Sequence, residues 1–403
     1  MVRKFRFRGR RAVEIKDRLY LVGPLPEDTG QVGGVGLYHL RLIEALAALA
    51  PAECELLVYS QKSSRSQRTP VSSNVRVLDT WRSGLPAIMD LWKLAFARPG
   101  AFIIQYEVQL FGSVIASLLL PPLITCIRIR GSRVFVLMHH VIGPALTTET
   151  LKDWKTPSLI DGVALAVLRA NQWLIALAAS AVIVHERSQA TMLRAKRTFI
   201  VPHGVSVRST QQQTAAFPER TLRVAIFGFI APYKGSLEAA QAASKLLNDG
   251  VRIELNIVGG EHPRMRTSAD YQSYIAQLRG LTELHPELTM KGFVPASELD
   301  RVLLENDLVV LPYKAAIGVS GAFSYAIGLG LPVAVSNVLG ELMDLPMDIP
   351  RFDPSAAGIT TFLRHTINER QLPAGAPIYS LATSRSWTTV GRRVWDLIRS
   401  PSL

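Results

Sequence analysis

Short, nearly unbroken apolar runs recur along the chain, and between them apolar residues return every three to four positions. In the first half the runs are "RLYLVGPL" (18–25), "CELLVYS", "VRVLD", "AFIIQYE", "RVFVLMHH", "AVIVHE" and "TFIVPHG". Strands apolar on successive residues, rather than on alternate ones, are covered on both faces, as in parallel sheets. With helices between them, this half reads as a wound βα sheet. A polar stretch, "VRSTQQQTAAFPER" (207–220), separates it from a second series: "LRVAIFGF", "RIELNIVGG", "LTMKGFV", "DLVVLPY" and "LPVAVSN". The fold class is therefore α/β, two Rossmann-like doubly wound parallel-sheet domains facing a cleft, over 1–207 and 208–385. The final pattern, "SWTTVGRRVWDLIR" (386–399), has Trp387, Val390, Val394, Trp395 and Ile398 at helical spacing, so 386–403 is expected to pack back on the first domain. Ligands of such sheets bind beyond the carboxyl ends of the strands.

Composition supports this picture. A chain of 403 residues, 48% apolar and 19% charged, has the size of two globular domains. Cys54 and Cys126 stand far apart in no metal spacing and read as reduced thiols, which fits a cytoplasmic protein. Net charge is +13, and the first 18 residues alone carry eight Lys/Arg against Glu14 and Asp17. This arm, "MVRKFRFRGRR", suits an anionic membrane surface at the inner face of the cell membrane, or a solvated tail. It lacks the apolar core of a secretory signal. Nucleic acid is a poorer partner, because no reader motif appears and charge elsewhere is diffuse. The uncharged stretch "LFGSVIASLLLPPLITCI" (110–127) just reaches the lower limit for a membrane span, but Pro121 and Pro122 interrupt it. It reads as a buried or interface-lying helix.

Candidate chemistry sits where strands give way to helices. Gly33, Gly34 and Gly36 lie in "QVGGVGLYHLRLIEALAAL" after the first strand, where glycine lets backbone approach a ligand closely. The spacing is neither the dinucleotide fingerprint nor a P-loop. Gln105 and Glu107 end one strand, His139 and His140 another, and His203-Gly204 close the half. In "FGFIAPYKGSLEAA" (227–240) a strand delivers Gly228, and Lys234-Gly235 opens a helix, a setting suited to a pyrophosphate. In "LPYKAAIGVSGAFSYAIGLGLPVAVSN" (311–337), Ser320, Gly321 and Ala322 start a second helix, which Gly330 and Pro332 end.

The ordered set resembles a retaining glycosyltransferase of family four with the GT-B fold, from about Leu21 to Asn337. The matching pieces are "GGVGLYHLRLIEAL", "FVLMHH", "IVPHGV", "FGFIAPYKGSLEAAQAASKLL", "LNIVGG", "LTMKGFVPASELDRVLLENDLVVLPY" and "GLGLPVAVSN". The resemblance implies a nucleotide-sugar co-substrate, UDP- or GDP-linked, no metal requirement, and a glycan or lipid-linked acceptor in polysaccharide or glycoconjugate synthesis. It implies that the glycine loop, Gln105, Glu107 and His203 lie on the acceptor side of the cleft and that His139 lies near the reacting sugar. Lys234, beside Gly228 and Gly235, would bind the pyrophosphate, with Ser320, Gly321 and Ala322 capping it. Gly292, Phe293 and Val294 would hold the base.

Two departures stand out. The family's paired glutamates, one on the sugar and one on the ribose, fall at Ile317 and Tyr325, and an arginine usual after Gly228 is Phe229. The sequence resembles instead a subset with "PY…SG…A" and "QxE…F" (Gln105, Glu107, Phe111). Same-face transfer needs mainly positioning, charge neutralisation and exclusion of water. The competing reading is a relative that binds nucleotide or glycan without transferring.

Overall fold

The computed structural model describes residues 18–26, 34–62, 74–108, 110–143, 161–208, 221–263, 265–315, 318–372 and 375–400. The basic arm, Gly33 and Ile317 lie outside these residues.

The first domain runs β1 (Arg18–Val22), α1 (Gly34–Ala47), β2 (Glu55–Gln61), β3 (Val75–Trp81), α2 (Pro86–Trp92), a 3-10 turn (Lys93–Phe96), β4 (Ala101–Tyr106), α3 (Val114–Leu118), α4 (Leu120–Ile129), β5 (Arg133–Met138), α5 (Asp161–Ala178), β6 (Ala181–Val184), α6 (Arg187–Leu193) and β7 (Thr198–Ile200). Its seven strands are all parallel in the order β3-β2-β1-β4-β5-β6-β7. Separate apolar clusters cover the two faces, which is why the central strands read as unbroken apolar runs. Register then sets the site. Tyr106 pairs with Met138 and Met138 with Val184, so Glu107, His139 and His185 leave the sheet at one level.

The second domain runs β8 (Leu222–Phe227), a 3-10 turn (Pro232–Lys234), α7 (Ser236–Asn248), β9 (Ile253–Val258), α8 (Ala269–Leu284), β10 (Leu288–Gly292), α9 (Ala296–Leu304), β11 (Leu308–Leu311), α10 (Gly321–Gly328), β12 (Val333–Ser336), α11 (Asn337–Leu342), β13 (Arg351–Phe352) and α12 (Ala356–Glu369). Its sheet is also parallel, β10-β9-β8-β11-β12-β13. In both sheets strand order reverses beside the first strand, the place where ligands bind.

Helices α13 (Gly375–Ser384) and α14 (Trp387–Arg399) complete the chain. Ser386 caps α14 by accepting from the Thr389 amide. Val390, Val394, Trp395 and Ile398 bury themselves with Tyr38, Leu42, Ile43 and Leu46 of α1. Gly391 permits this approach, since a Cβ there would stand 2.7 Å from Ala45 Cβ.

The 110–127 segment is partly buried: Leu120, Leu123, Ile124 and Ile127 join the first domain's core. Pro121 and Pro122 lie in the first turn of α4, where a missing N–H costs nothing, so they begin a helix. Among the described residues no helix is long and apolar enough to cross a membrane. Cys54 and Cys126 form no disulfide with each other.

Candidate active site

Between the carboxyl ends of the two sheets lies a cleft of about 700 Å³, bordered among others by Gly34, Gly36, Glu107, His140, Gly321 and Tyr325.

On the second-domain side, β8 ends at Phe227 and Gly228 turns the chain with φ of 115°. The turn Pro232–Lys234 then folds back because Gly235, at φ of 73°, packs on β11's exit. A Cβ at Gly235 would lie 2.0 Å from the Pro312 carbonyl oxygen. Lys234 consequently reaches back across Gly228. Its Nζ is 5.7 Å from the Tyr313 ring centroid, and a Cβ on Gly228 would lie 2.9 Å from that Nζ and 4.0 Å from Ala322 Cβ. Gly228 thus keeps open a space bordered by an ammonium group and the first turn of α10. Burial pulls the Lys234 pKa down, but Tyr313 and Tyr233 outweigh it and the value is raised, so the amine is charged at neutral pH. Among the described residues it forms no ion pair.

Ser320 is buried, and its hydroxyl is already used: it accepts from the Phe323 amide at 3.2 Å and meets the Tyr313 hydroxyl at 3.1 Å. The Ser320 side chain therefore caps α10 at its start. The groups left for a ligand are the Gly321 and Ala322 amides, which precede the first intrahelical bond. Gly292 ends β10, and it and the following Phe293 and Val294 lie beside Gly259 and Gly260, outside the cleft's border, with Phe293 51% exposed.

On the first-domain side the cleft floor is built of histidines. Gln105 Oε1 lies 2.8 Å from His139 Nε2, His139 Nδ1 lies 3.3 Å from His185 Nε2, and His185 Nδ1 lies 3.1 Å from the Val201 carbonyl. Three hydrogen bonds need three protons, and two neutral imidazoles supply two. The count closes when the Gln105 amide is turned over, so that its NH2 donates to His139, which donates to His185, which donates to Val201. Gln105 Nε2 has no other partner, which agrees. Burial pushes His139 well below the ordinary value, His185 to about 3 and His203 to about 4, so all are neutral at pH 7.

Gln105, expected on the acceptor side, is instead fully buried and orients His139 from behind. His139 lines the cleft with its ring nitrogens engaged by Gln105 and His185. His140 lines it too, its Nδ1 3.6 Å from Glu107 Oε1, both side chains being partly exposed. Gln189 and Gln172, both buried, donate to the His139 and His140 carbonyls at 2.9 and 3.0 Å and fix this loop. His203 meets the Tyr38 ring edge-on and the His185 ring at a tilt, at the cleft wall. Of the glycine loop, Gly34 opens α1 in the exposed position and Gly36 fits against the Leu25 and Pro26 backbone, 3.3 Å from where a Cβ would stand. Among the described residues no group of three or more His, Cys, Asp or Glu is arranged to hold a metal ion.

The two positions of the family's glutamates have different fates. Ile317 is outside the described residues. Tyr325 borders the cleft, donates its hydroxyl to Asp300 Oδ1 at 2.5 Å and accepts from Arg208 Nη1 at 2.9 Å. Arg208 also pairs with Asp300 and stacks 4.7 Å over the Tyr325 ring. A carboxylate from α9 thus stands beside Tyr325.

The domains meet at several points. His140 bridges to Gly318, where a Cβ would stand 2.3 Å from the imidazole. Val205 bonds to Arg385, and Ser188 to the Leu342 carbonyl at 2.7 Å. Arg385 and Glu186 form a buried ion pair at 2.9 Å, with burial raising Glu186 to about 7 against the pull of Arg385.

Residues 221–347 match the family model described as "Glycosyl transferases group 1". No protein of curated function matches the sequence. Among solved structures, sucrose-phosphate synthase from Thermosynechococcus elongatus is similar at TM-score 0.68 and 16% identity, over 95% of this chain and 98% of that one. HepE from Anabaena, solved with UDP, is similar at 0.66 and 14%, over 96% and 100%. Trehalose-6-phosphate synthase OtsA is similar at 0.67 and 11%, over 95% and 99%. Those three likenesses show the GT-B architecture of two parallel-sheet domains, and residues 221–347 are similar to a glycosyl transferases group 1 domain.

Proposed function

We propose that the chain moves a sugar, with retention, from a UDP-sugar to a glycan or lipid-linked acceptor, at the inner face of the membrane, in cell-surface polysaccharide or glycoconjugate synthesis. The observation that carries this reading is the Lys234 ammonium, without an ion-pair partner among the described residues, facing the first turn of α10 across Gly228. A cation and free helix amides facing one space favour an anion there. UDP is favoured over GDP because HepE, similar throughout its length, was solved with it. Base and ribose would extend past Gly259 toward Gly292–Val294, with Tyr325 and Asp300 offering the ribose the polar contact that the absent glutamate leaves open.

In this arrangement the sugar's anomeric carbon points toward the histidine floor. The C1–O bond to the diphosphate breaks while Lys234 and the Gly321 and Ala322 amides hold the developing charge. The acceptor oxygen bonds to C1 from the same face, and its proton passes to the departing diphosphate oxygen. Glu107 and His140 orient the acceptor hydroxyl, with Gly34 and Gly36 letting it approach. Contact of His140 with Gly318 closes the domains over the reacting groups and excludes water.

A thermal-shift panel of UDP-, GDP- and ADP-sugars tests the donor. At a hundredfold excess over Kd the bound ligand adds about 2.7 kcal/mol, enough for a rise of several degrees. UDP-sugars alone should give it, followed by slow release of UDP. No shift with any donor refutes the reading, and a shift without UDP release in the presence of varied acceptors would make the chain a binding protein.

A further inference from the structure

Helix α5 is apolar nearly all the way round. Leu165, Leu168, Ile175 and Ala176 bury its inner face in the first domain's core. Its outer face carries Val163, Val167, Trp173, Leu174 and Leu177, each between 45% and 65% exposed. With Ala166 and Ala170, also exposed, they recur at three- and four-residue spacing without a polar side chain among them. A helix apolar on both sides is normally covered on both sides, and among the described residues nothing covers this one.

The patch continues beyond α5. That helix packs on α4, α4 on the 3-10 turn Lys93–Phe96, and the turn on α2. These add Ile129 at 70%, Phe96 and Met89 at 75%, and Leu85 at 60% exposure. Arg82, Lys93, Arg98 and Arg130 stand exposed along this layer, with Arg130 over the Phe96 ring at 5.5 Å. Asp90, the carboxylate of α2, is buried and already paired with Arg82 and Lys93. Contiguous apolar area of this kind marks an interaction site, and an apolar stripe with a tryptophan and a cationic border matches the boundary of a bilayer with anionic headgroups.

We propose that the outer surface of α5, with α2 and the Lys93–Phe96 turn, docks the protein on an anionic lipid surface. A second copy fits less well, since a two-fold contact would set these cations against themselves. The amino end of α5 lies on the cleft side of the sheet, because a helix in a βα unit runs against its strands. A docked α5 therefore brings the cleft mouth near the lipid, which deepens the proposed lipid-linked acceptor while leaving the donor site out of the argument. The 110–127 segment takes no large part in this surface; of it, Ile115 is the large hydrophobic left exposed.

The test is flotation of the full chain with phosphatidylcholine vesicles, with and without about 30% phosphatidylglycerol. Binding should require the anionic lipid. L174E/L177E should cut partitioning at least roughly tenfold, and K93E and R130E by about fivefold or more each. Far-UV circular dichroism and the UDP-induced thermal shift should stay as in the wild type, which separates loss of docking from failure of the donor reading. If L174E/L177E misfolds, L174Q/L177Q replaces it. Failure of the wild type to bind anionic vesicles, unchanged binding by the folded α5 variants, or a concentration-dependent dimer abolished by L177E each overturns the proposal.

Discussion

Replacing Lys234 by alanine removes one charge from the anion cradle and little else. The ammonium stands near Gly228 and over the Tyr313 ring and has no carboxylate partner among the described residues, so its loss strands no opposite charge. The ligand-free protein should therefore unfold within a few degrees of wild type. A hydrogen bond to a charged group contributes about 1.5–3 kcal/mol, so UDP should bind roughly ten- to 150-fold more weakly. Calorimetric titration with UDP and with uridine reads the effect where it should fall: on the diphosphate compound, with uridine unchanged. Raising salt should weaken UDP binding to wild type more than to the variant, because one screened charge pair is gone. Lys234→Arg should recover only part of the loss, since a planar guanidinium must fit beside Gly228 in space that one extra Cβ already crowds. Equal weakening of UDP and uridine would mean that the substitution acts through the fold. Unchanged UDP affinity would remove Lys234 from the site.

Gly235→Ala should be harsher, because its φ of 73° and a Cβ 2.0 Å from the Pro312 oxygen force the Lys234 turn off β11; thermal melts should show lost stability together with lost UDP binding. Tyr325→Phe and Asp300→Asn should each weaken UDP more than inorganic pyrophosphate, as expected of groups on the ribose; equal loss for both ligands would reassign them to the phosphates. Acid should destabilise the protein in a defined window. Burial holds His39 at about 4, His185 at about 3 and His203 at about 4, so these groups favour the folded state fully above 6.5, and that contribution is lost as pH falls from there toward 4. Glu186, raised to about 7 by burial, works in the opposite sense, its contribution present at low pH and lost as pH rises through 7. Urea midpoints measured between pH 8 and 4.5 should fall below pH 6.5, and His185→Asn should flatten the fall.

Much of this architecture was legible in the sequence because burial of a parallel sheet on two faces writes itself as unbroken apolar runs. The strand β13 was not, since Arg351–Phe352 is too short to carry a pattern. Lys234, Gly228 and the Gly321 helix start were legible for a local reason: each lies at a strand-to-helix turn within a few residues of its strand. What the spacing could not reveal was burial. Gln105 lies two residues before Glu107 but is fully buried in the floor, and only the register of β4, β5 and β6 brings it to His139 and His185. His185 carried a signal, the polar end of "AVIVHE", that pointed to this cluster. The Arg208–Tyr325–Asp300 group joins three elements far apart in sequence and left no local trace.

A crystal structure of the protein with UDP would decide whether a diphosphate binds between the Lys234 ammonium and the opening of α10. Diphosphate oxygens should then lie within hydrogen-bonding distance of Lys234 Nζ and of the Gly321 or Ala322 amide, above Gly228. UDP bound elsewhere, or bound here with Lys234 turned away, would overturn the proposed donor site.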